Sequence, residues 1–212
     1  MSQTDFRPDR AALAPTVYVV DDDASIREVL AWLMQSNRIA VKTYSNAAAF
    51  LAEFKPDSPG CLVLDLYMPG MSGLDLQQYL IRHGISMPVI FLSGRGDIGK
   101  AVAAVRQGAV DFIEKPFDYK RIIATIRECL QRDAAMRATR STREAFKVRL
   151  ATLTQREREV MDYVVAGRTN REVAGILGIS IKTVEAHRSR LMEKLEAESI
   201  AELVQSAVQN KA

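Results

Sequence analysis

The chain of 212 residues is long for one compact unit and suits one domain of common size plus a smaller one. Its 48% hydrophobic and 26% charged residues are those of an ordinary globular protein, which excludes collagenous, disordered and integral-membrane classes, and no apolar run approaches the roughly 20 residues of a spanning helix. The net charge of +3 is uneven: residues 1–137 balance 16 basic against 16 acidic side chains, whereas residues 138–212 carry 13 against 10, a weak pointer to a polyanionic partner. Residues 1–15, with Asp5, Arg7, Pro8, Asp9, Arg10 and Pro15, have no apolar signal-peptide core and read as a flexible lead-in to a cytoplasmic protein. Residues 16–131 then alternate short β-branched runs with amphipathic stretches, the pattern of a parallel sheet wrapped by helices. The predicted strands are Val17 to Val20, Ala40 to Tyr44, Cys61 to Leu64, Pro88 to Leu92 and Val110 to Ile113, mostly apolar throughout as in strands covered on both faces. Between and after them run helical stripes: Ile26, Val29, Leu30, Leu33 and Met34; Phe50, Leu51 and Phe54; Leu76 and Leu80; Ile98, Val102 and Val105; Ile122, Ile123, Ile126 and Leu130. The fold class is α/β, a doubly wound five-stranded parallel sheet with a second, smaller all-α domain.

Residues 132–151 are a basic, helical linker (Arg132, Arg137, Arg140, Arg143, Lys147, Arg149), open to being continuous with the helix before it. Residues 152–208 carry helix-start signals at Thr154 with Glu157, Thr169 with Glu172 and Ser199 with Glu202, and Ser180 before a further apolar-periodic stretch. With Gly167 and Gly178 between them, these predict a bundle of four short helices. The two cysteines, Cys61 and Cys129, provide neither a disulfide framework nor a thiolate metal cluster and read as buried thiols.

Ligands of an open parallel sheet bind beyond the carboxyl ends of its strands. This sequence places its unusual residues there: Asp21, Asp22 and Asp23 after the first strand, Asp65 at the end of the third, Ser93 at the end of the fourth, and Lys115-Pro116 after the fifth. Three consecutive acids repel one another unless a cation or solvent offsets the charge, and a hard divalent ion such as Mg2+ takes oxygen ligands of this kind. Asp23 can instead cap the first helix, with Asp21 and Asp22 in a solvated turn. That explanation serves any one acid better than it serves the set.

Val19-Val20-Asp21-Asp22-Asp23, Leu62-Val63-Leu64-Asp65-Leu66-Tyr67-Met68-Pro69-Gly70-Met71-Ser72-Gly73, Phe91-Leu92-Ser93-Gly94 and Phe112-Ile113-Glu114-Lys115-Pro116-Phe117 together resemble the receiver domain of two-component response regulators, over residues 16–131. The resemblance implies that Asp65 accepts a phosphoryl group from a sensor histidine kinase, and that Asp21, Asp22, Asp65 and the Tyr67 backbone carbonyl hold Mg2+. It further implies that Lys115 and Ser93 contact the phosphoryl oxygens, that Phe112 follows Ser93 in the switch, and that Lys115-Pro116 takes a cis bond. Two enzyme classes compete. A phosphatase of the haloacid dehalogenase type needs a second acid two residues after its aspartate, where this chain has Tyr67. A nucleotide-binding enzyme with a helical partner-binding tail would use Gly94, Gly96 and Gly99, which spell GxGxxG; but that motif follows the fourth strand, leaving one strand to build the nucleotide-binding half.

Val173-Ala174, Leu177-Gly178-Ile179 and Val184 stand where a helix-turn-helix needs a small residue at the crossing, a glycine in the turn and an apolar anchor. Its second helix, Ile181 to about Leu195, is expected to bury Val184, Leu191 and Leu195 and to present Lys182, Glu185, Ala186, Ser189 and Glu193 on the opposite face. A plain helical hairpin fits the same pattern, since two acids on that face repel phosphate. Leu153-Thr154-Gln155-Arg156-Glu157-Arg158-Glu159-Val160, Gly167 to Ala174 and Thr183 to Arg188 resemble the LuxR/FixJ-type DNA-binding domain, and the whole chain resembles the NarL/FixJ response regulators. The expected DNA-binding residues are Thr169, Asn170, Arg171, Lys182, Thr183, Glu185, Ala186, His187, Arg188, Ser189 and Arg190, with Arg188 also able to pair with Glu157 or Glu172. The expected partners are the kinase, promoter DNA, RNA polymerase and a second copy of the chain, without a membrane. The resemblance also implies that two copies pair on the helix from Asp97 to Gln107 and the fifth strand, a surface that here carries Arg95, Lys100 and Arg106 against Asp97, Asp111 and Asp118, both signs that suit a two-fold contact.

Overall fold

The computed structural model describes residues 14–94 and 108–211, which divide between two compact units, to Met136 and from Arg137. In the first unit β1 (Thr16–Val20), α1 (Ala24–Ser36), β2 (Ala40–Tyr44), α2 (Ala47–Glu53), β3 (Gly60–Asp65), α3 (Gly73–Arg82), β4 (Val89–Ser93) and β5 (Asp111–Glu114) follow in order. The sheet is parallel with order β2-β1-β3-β4-β5, as the alternating pattern predicts. Successive side chains of a strand point to opposite faces, so each central strand feeds two cores. Tyr18, Val20, Leu62, Leu64 and Phe91 pack with Phe50, Leu76 and Leu80 on one face. Val17, Val19, Cys61, Val63, Ile90, Leu92 and Ile113 pack with Leu30, Leu33, Met34, Ile122, Ile126 and Cys129 on the other. β1, β3 and β4 are buried almost throughout, while the edge strand β2 buries only Tyr44 and keeps Lys42 and Thr43 exposed, because no described strand pairs with its outer side. The predicted helical stripe of Ile98, Val102 and Val105 lies outside the described residues.

A single helix, α4, spans Tyr119–Ala151 across the division between the units. The basic stretch is thus continuous with the preceding helix, and its last turns carry Phe146, which is buried in the core of the helical unit. The four predicted short helices follow: α5 (Gln155–Val165), α6 (Asn170–Leu177), α7 (Ile181–Leu195) and α8 (Ile200–Lys211). Thr154 with Glu157 and Thr169 with Glu172 form reciprocal capping boxes that satisfy the first free N–H groups of α5 and α6. At α8 half of the expected box forms: the Ser199 hydroxyl accepts from the Glu202 N–H, but the Glu202 carboxylate takes the Glu198 N–H in place of that of Ser199. Leu153, Val160, Val164, Val173, Val184, Leu191, Leu195 and Leu203 make the core of the bundle.

Candidate functional site

The carboxyl ends of β1, β3 and β5 bring Asp21, Asp65 and Lys115 together. The Lys115 ammonium lies 2.7 Å from Asp21 Oδ2 and 2.6 Å from Asp65 Oδ1, bridging two carboxylates that are 1% and 6% exposed. Asp22 is exposed, yet one carboxylate oxygen from each of Asp21, Asp22 and Asp65 falls within 4.8 Å of the others. Each acid is also held by backbone. The N–H of Asp23 donates to Asp21 Oδ1 at 2.9 Å, and that of Tyr67 donates to Asp65 Oδ2 at 2.9 Å. Asp23 caps α1, accepting from the Ser25 N–H. Burial raises the Asp65 carboxyl above the ordinary aspartate value despite the opposing pull of the Lys115 ammonium. For Lys115 the balance is reversed: burial would lower its pKa, but hydrogen bonds to Asp21 and Asp65 raise it, so the ammonium stays charged.

Ser93 is fully buried at the end of β4, its hydroxyl donating to the Gly94 carbonyl at 3.2 Å, while its own carbonyl accepts the Lys115 N–H at 2.6 Å. The Lys115-Pro116 bond is cis. Phe112 pairs in register with Phe91 and is half-buried against the first core. Of the surface expected to pair two copies, Asp111 forms an ion pair with Arg121 at 3.3 Å, and Asp118 accepts the Lys120 N–H at 2.7 Å. Arg95, Asp97, Lys100 and Arg106 lie outside the described residues.

Two residues of this site escape sequence reasoning. Arg27 Nη1 donates to the Asp21 carbonyl at 2.7 Å, which steadies the turn that carries the acids. Gly73 opens α3 so close to β3 that a Cβ there would stand 2.2 Å from the Asp65 carbonyl oxygen. Arg27 is the single basic residue of α1, and nothing in its spacing marks it as a partner of the Asp21 turn. Gly73 ends the motif around Asp65, which points to its neighbourhood but not to its contact.

In the helical unit, Gly178 caps α6 in the left-handed conformation at φ 65°, so the chain reverses directly into α7. Val184, Leu191 and Leu195 are buried, and Lys182, Glu185, Ala186, Ser189 and Glu193 are all exposed, as the helical period requires. Arg171 and Arg190 are exposed as well. Four of the remaining expected residues, Thr169, Asn170, Thr183 and Arg188, make internal contacts. Thr169 is bonded to Glu172 in its capping box, the Thr183 hydroxyl meets that of Ser180 at 2.8 Å, and Arg188 donates to Asn170 Oδ1. His187 is half-buried, with its Nδ1 unpartnered among the described residues. Arg188 therefore has a partner other than the two expected: Glu157 is taken by Lys194 at 2.7 Å and Glu172 by Arg168 at 3.2 Å.

Comparison with known proteins matches residues 17–127 to the response regulator receiver domain and residues 151–207 to the luxR family of bacterial regulatory proteins. The transcriptional regulatory protein FixJ of Azorhizobium caulinodans is 45% identical over 192 residues, 91% of each chain. The transcriptional regulatory protein TdiR of Thauera aromatica is 42% identical over 90% of this chain and 84% of its own. Among solved structures, the response regulator StyR superposes with a TM-score of 0.83 at 40% identity, covering 92% of this chain and 99% of that one. None of this supports the nucleotide-binding enzyme: Gly94 follows the fourth strand of a β2-β1-β3-β4-β5 sheet in which β5 is the one strand beyond it among the described residues, and Gly96 and Gly99 lie outside those residues. A receiver fold with a three-carboxylate cluster at its strand ends, followed by a helix-turn-helix, makes this chain a member of the NarL/FixJ family of two-component response regulators, with a receiver and a LuxR-type DNA-binding domain.

Proposed function

We propose that Asp65 accepts a phosphoryl group from the phosphohistidine of a sensor histidine kinase, and that this modification drives dimerisation and promoter binding, through which the protein regulates transcription by RNA polymerase in the cytoplasm. Activation is the expected sign. Residues 16–131 serve as receiver, 132–151 as helical linker and 152–208 as output domain, with 1–15 as a lead-in. The observation that carries this proposal is the Lys115 ammonium bridging Asp21 and Asp65 at the strand ends. In the transfer a lone pair of an Asp65 carboxylate oxygen forms the new O–P bond while the P–N bond to the kinase imidazole breaks, and the departing nitrogen recovers a proton. A carboxylate is a poor nucleophile toward a phosphate dianion, so rate comes from positioning and neutralisation. Tyr67 N–H and Lys115 fix the two oxygens of Asp65, and the Lys115 ammonium then faces the charge that phosphate adds. The Ser93 hydroxyl turns from the Gly94 carbonyl to the phosphate, and Phe112 moves inward behind it.

The donor set suits Mg2+: three hard oxygen donors, one of them exposed so that water can complete the shell. Asp21, Asp22, Asp65 and the Tyr67 carbonyl would hold it, and when bound it supplies positive charge to the phosphoryl oxygens. On DNA, the exposed residues Lys182, Glu185, Ala186, Ser189 and Arg190 of α7 enter the major groove, with Arg171 on the backbone and His187 at the flank of the same helix. Thr169, Asn170, Thr183 and Arg188 shape that surface through their internal bonds. The test is labelling by an acyl phosphate with and without a chelator, followed by a DNA shift assay. Acid-labile, Mg2+-dependent labelling that Asp65→Asn abolishes, with tighter DNA binding in the labelled protein, is expected. Labelling on another residue, or labelling indifferent to chelation, overturns the site.

A further inference from the structure

We infer that the hydrogen bond from Arg188 to Asn170 is a brace that sets the angle at which the recognition helix is presented to DNA, making both positioning residues rather than DNA contacts. The proposal rests on the DNA-binding role of the exposed stripe of α7.

The geometry is that of a triangle. α6 and α7 meet at the turn through Gly178 and Ser180, and Asn170 and Arg188 each stand about 10 Å of helix away from that apex. The bond between them closes the open side. Val173, Ala174 and Val184 are buried in the crossing nearer the apex, but apolar contact is non-directional and tolerates rotation. A hydrogen bond from a planar guanidinium does not, because donor and acceptor must align. A change of about 1 Å in the closing side turns α7 by about 5°, which displaces its far end by about 2 Å. Base contacts depend on such displacements, while contacts to phosphates made by long basic side chains adapt to them. Both residues are half-buried on the flank of the crossing, away from the exposed stripe of Lys182, Glu185 and Ser189.

The test uses full-length phosphorylated protein, a duplex selected from a random pool by the wild-type chain, and a scrambled duplex as the non-specific reference. Asn170→Ala, Arg188→Ala and the double variant should each weaken binding to the selected duplex by about tenfold, without additivity. Binding to the scrambled duplex and the salt slope should be unchanged, and Asn170→Asp, which keeps the acceptor, should retain selected-duplex affinity. Thermal melting of each variant separates a loss of presentation from a loss of folding. An Arg188→Ala that lowers the salt slope by about one on every duplex, beside an Asn170→Ala without effect, makes Arg188 a phosphate contact and overturns the brace. Additive losses, or none, also overturn it. Failure of the wild-type chain to select any duplex removes the DNA-binding role of the stripe instead.

Discussion

Lys115 holds together two buried carboxylates that would otherwise repel, and its ammonium lies 2.6 Å from an oxygen of Asp65, the carboxylate proposed to take the phosphoryl group. Replacing it separates chemistry from signalling. Lys115→Ala should still be labelled by an acyl phosphate, more slowly, but should lose the gain in DNA affinity on labelling; full retention of that gain would remove Lys115 from the switch. Glu157 gives a second residue-scale prediction, this time in pH. The Lys194 ammonium first, then the Thr154 N–H, hold its carboxyl down to about 2 from an ordinary 4.5. A carboxyl depressed in the folded state adds stability that is complete above the unfolded value and fades as acidification proceeds from about 4.5 toward 2. Urea unfolding of the helical unit should therefore weaken between pH 6 and pH 3, and Glu157→Gln should be less stable at pH 6 with most of that pH dependence gone. Equal pH profiles in the two proteins would place the acid sensitivity elsewhere.

Helix starts and tight approaches dominate at the scale of elements. Gly73→Ala puts a methyl group 2.2 Å from the Asp65 carbonyl oxygen, where α3 or β3 must move, and should cost about 3 kcal/mol with a displaced Asp65 and slower labelling. Gly178→Ala, at φ 65° with open space around it, should cost only about 1 kcal/mol in thermal or chemical melts. A reversed order of these two would mean that α3 can move away from β3 at little cost. The starts of α5 and α6 were readable because Ser or Thr followed three residues later by Glu is a local signal. The start of α3 was not, because its capping box uses Asp75 with Ser72. Strands β1, β3 and β4 were readable as apolar runs that fill both faces, and their ends located Asp21, Asp65 and Ser93 without any long-range information. Arg188 shows the opposite case. Its partner depends on which ends of α6 and α7 meet across the turn, so charge spacing along the chain suggested glutamates and the packed helices supplied Asn170.

On the scale of the whole molecule, two cores flank the sheet and a third fills the helical bundle, and among the described residues no buried side chain belongs to more than one of them. Leu64→Ala and Leu191→Ala, both at fully buried positions, should each cost about 2–5 kcal/mol, and their sum should describe the double variant to within about 0.5 kcal/mol. A larger departure in calorimetry would reveal energetic coupling between the units. Cys61 and Cys129 offer a kinetic counterpart. Both are completely buried in the sheet core of the receiver, and the Cys129 thiol together with burial pushes the Cys61 thiol well above its ordinary value. Thiol reagents attack exposed thiolates, so neither sulfur reacts until the receiver opens. Because the chain has no other cysteine, the rate of alkylation is a clock for opening of the receiver alone. Slower alkylation after phosphorylation would report that the modification tightens the sheet core, and a change in that rate on adding DNA would report a signal running backward from the output domain.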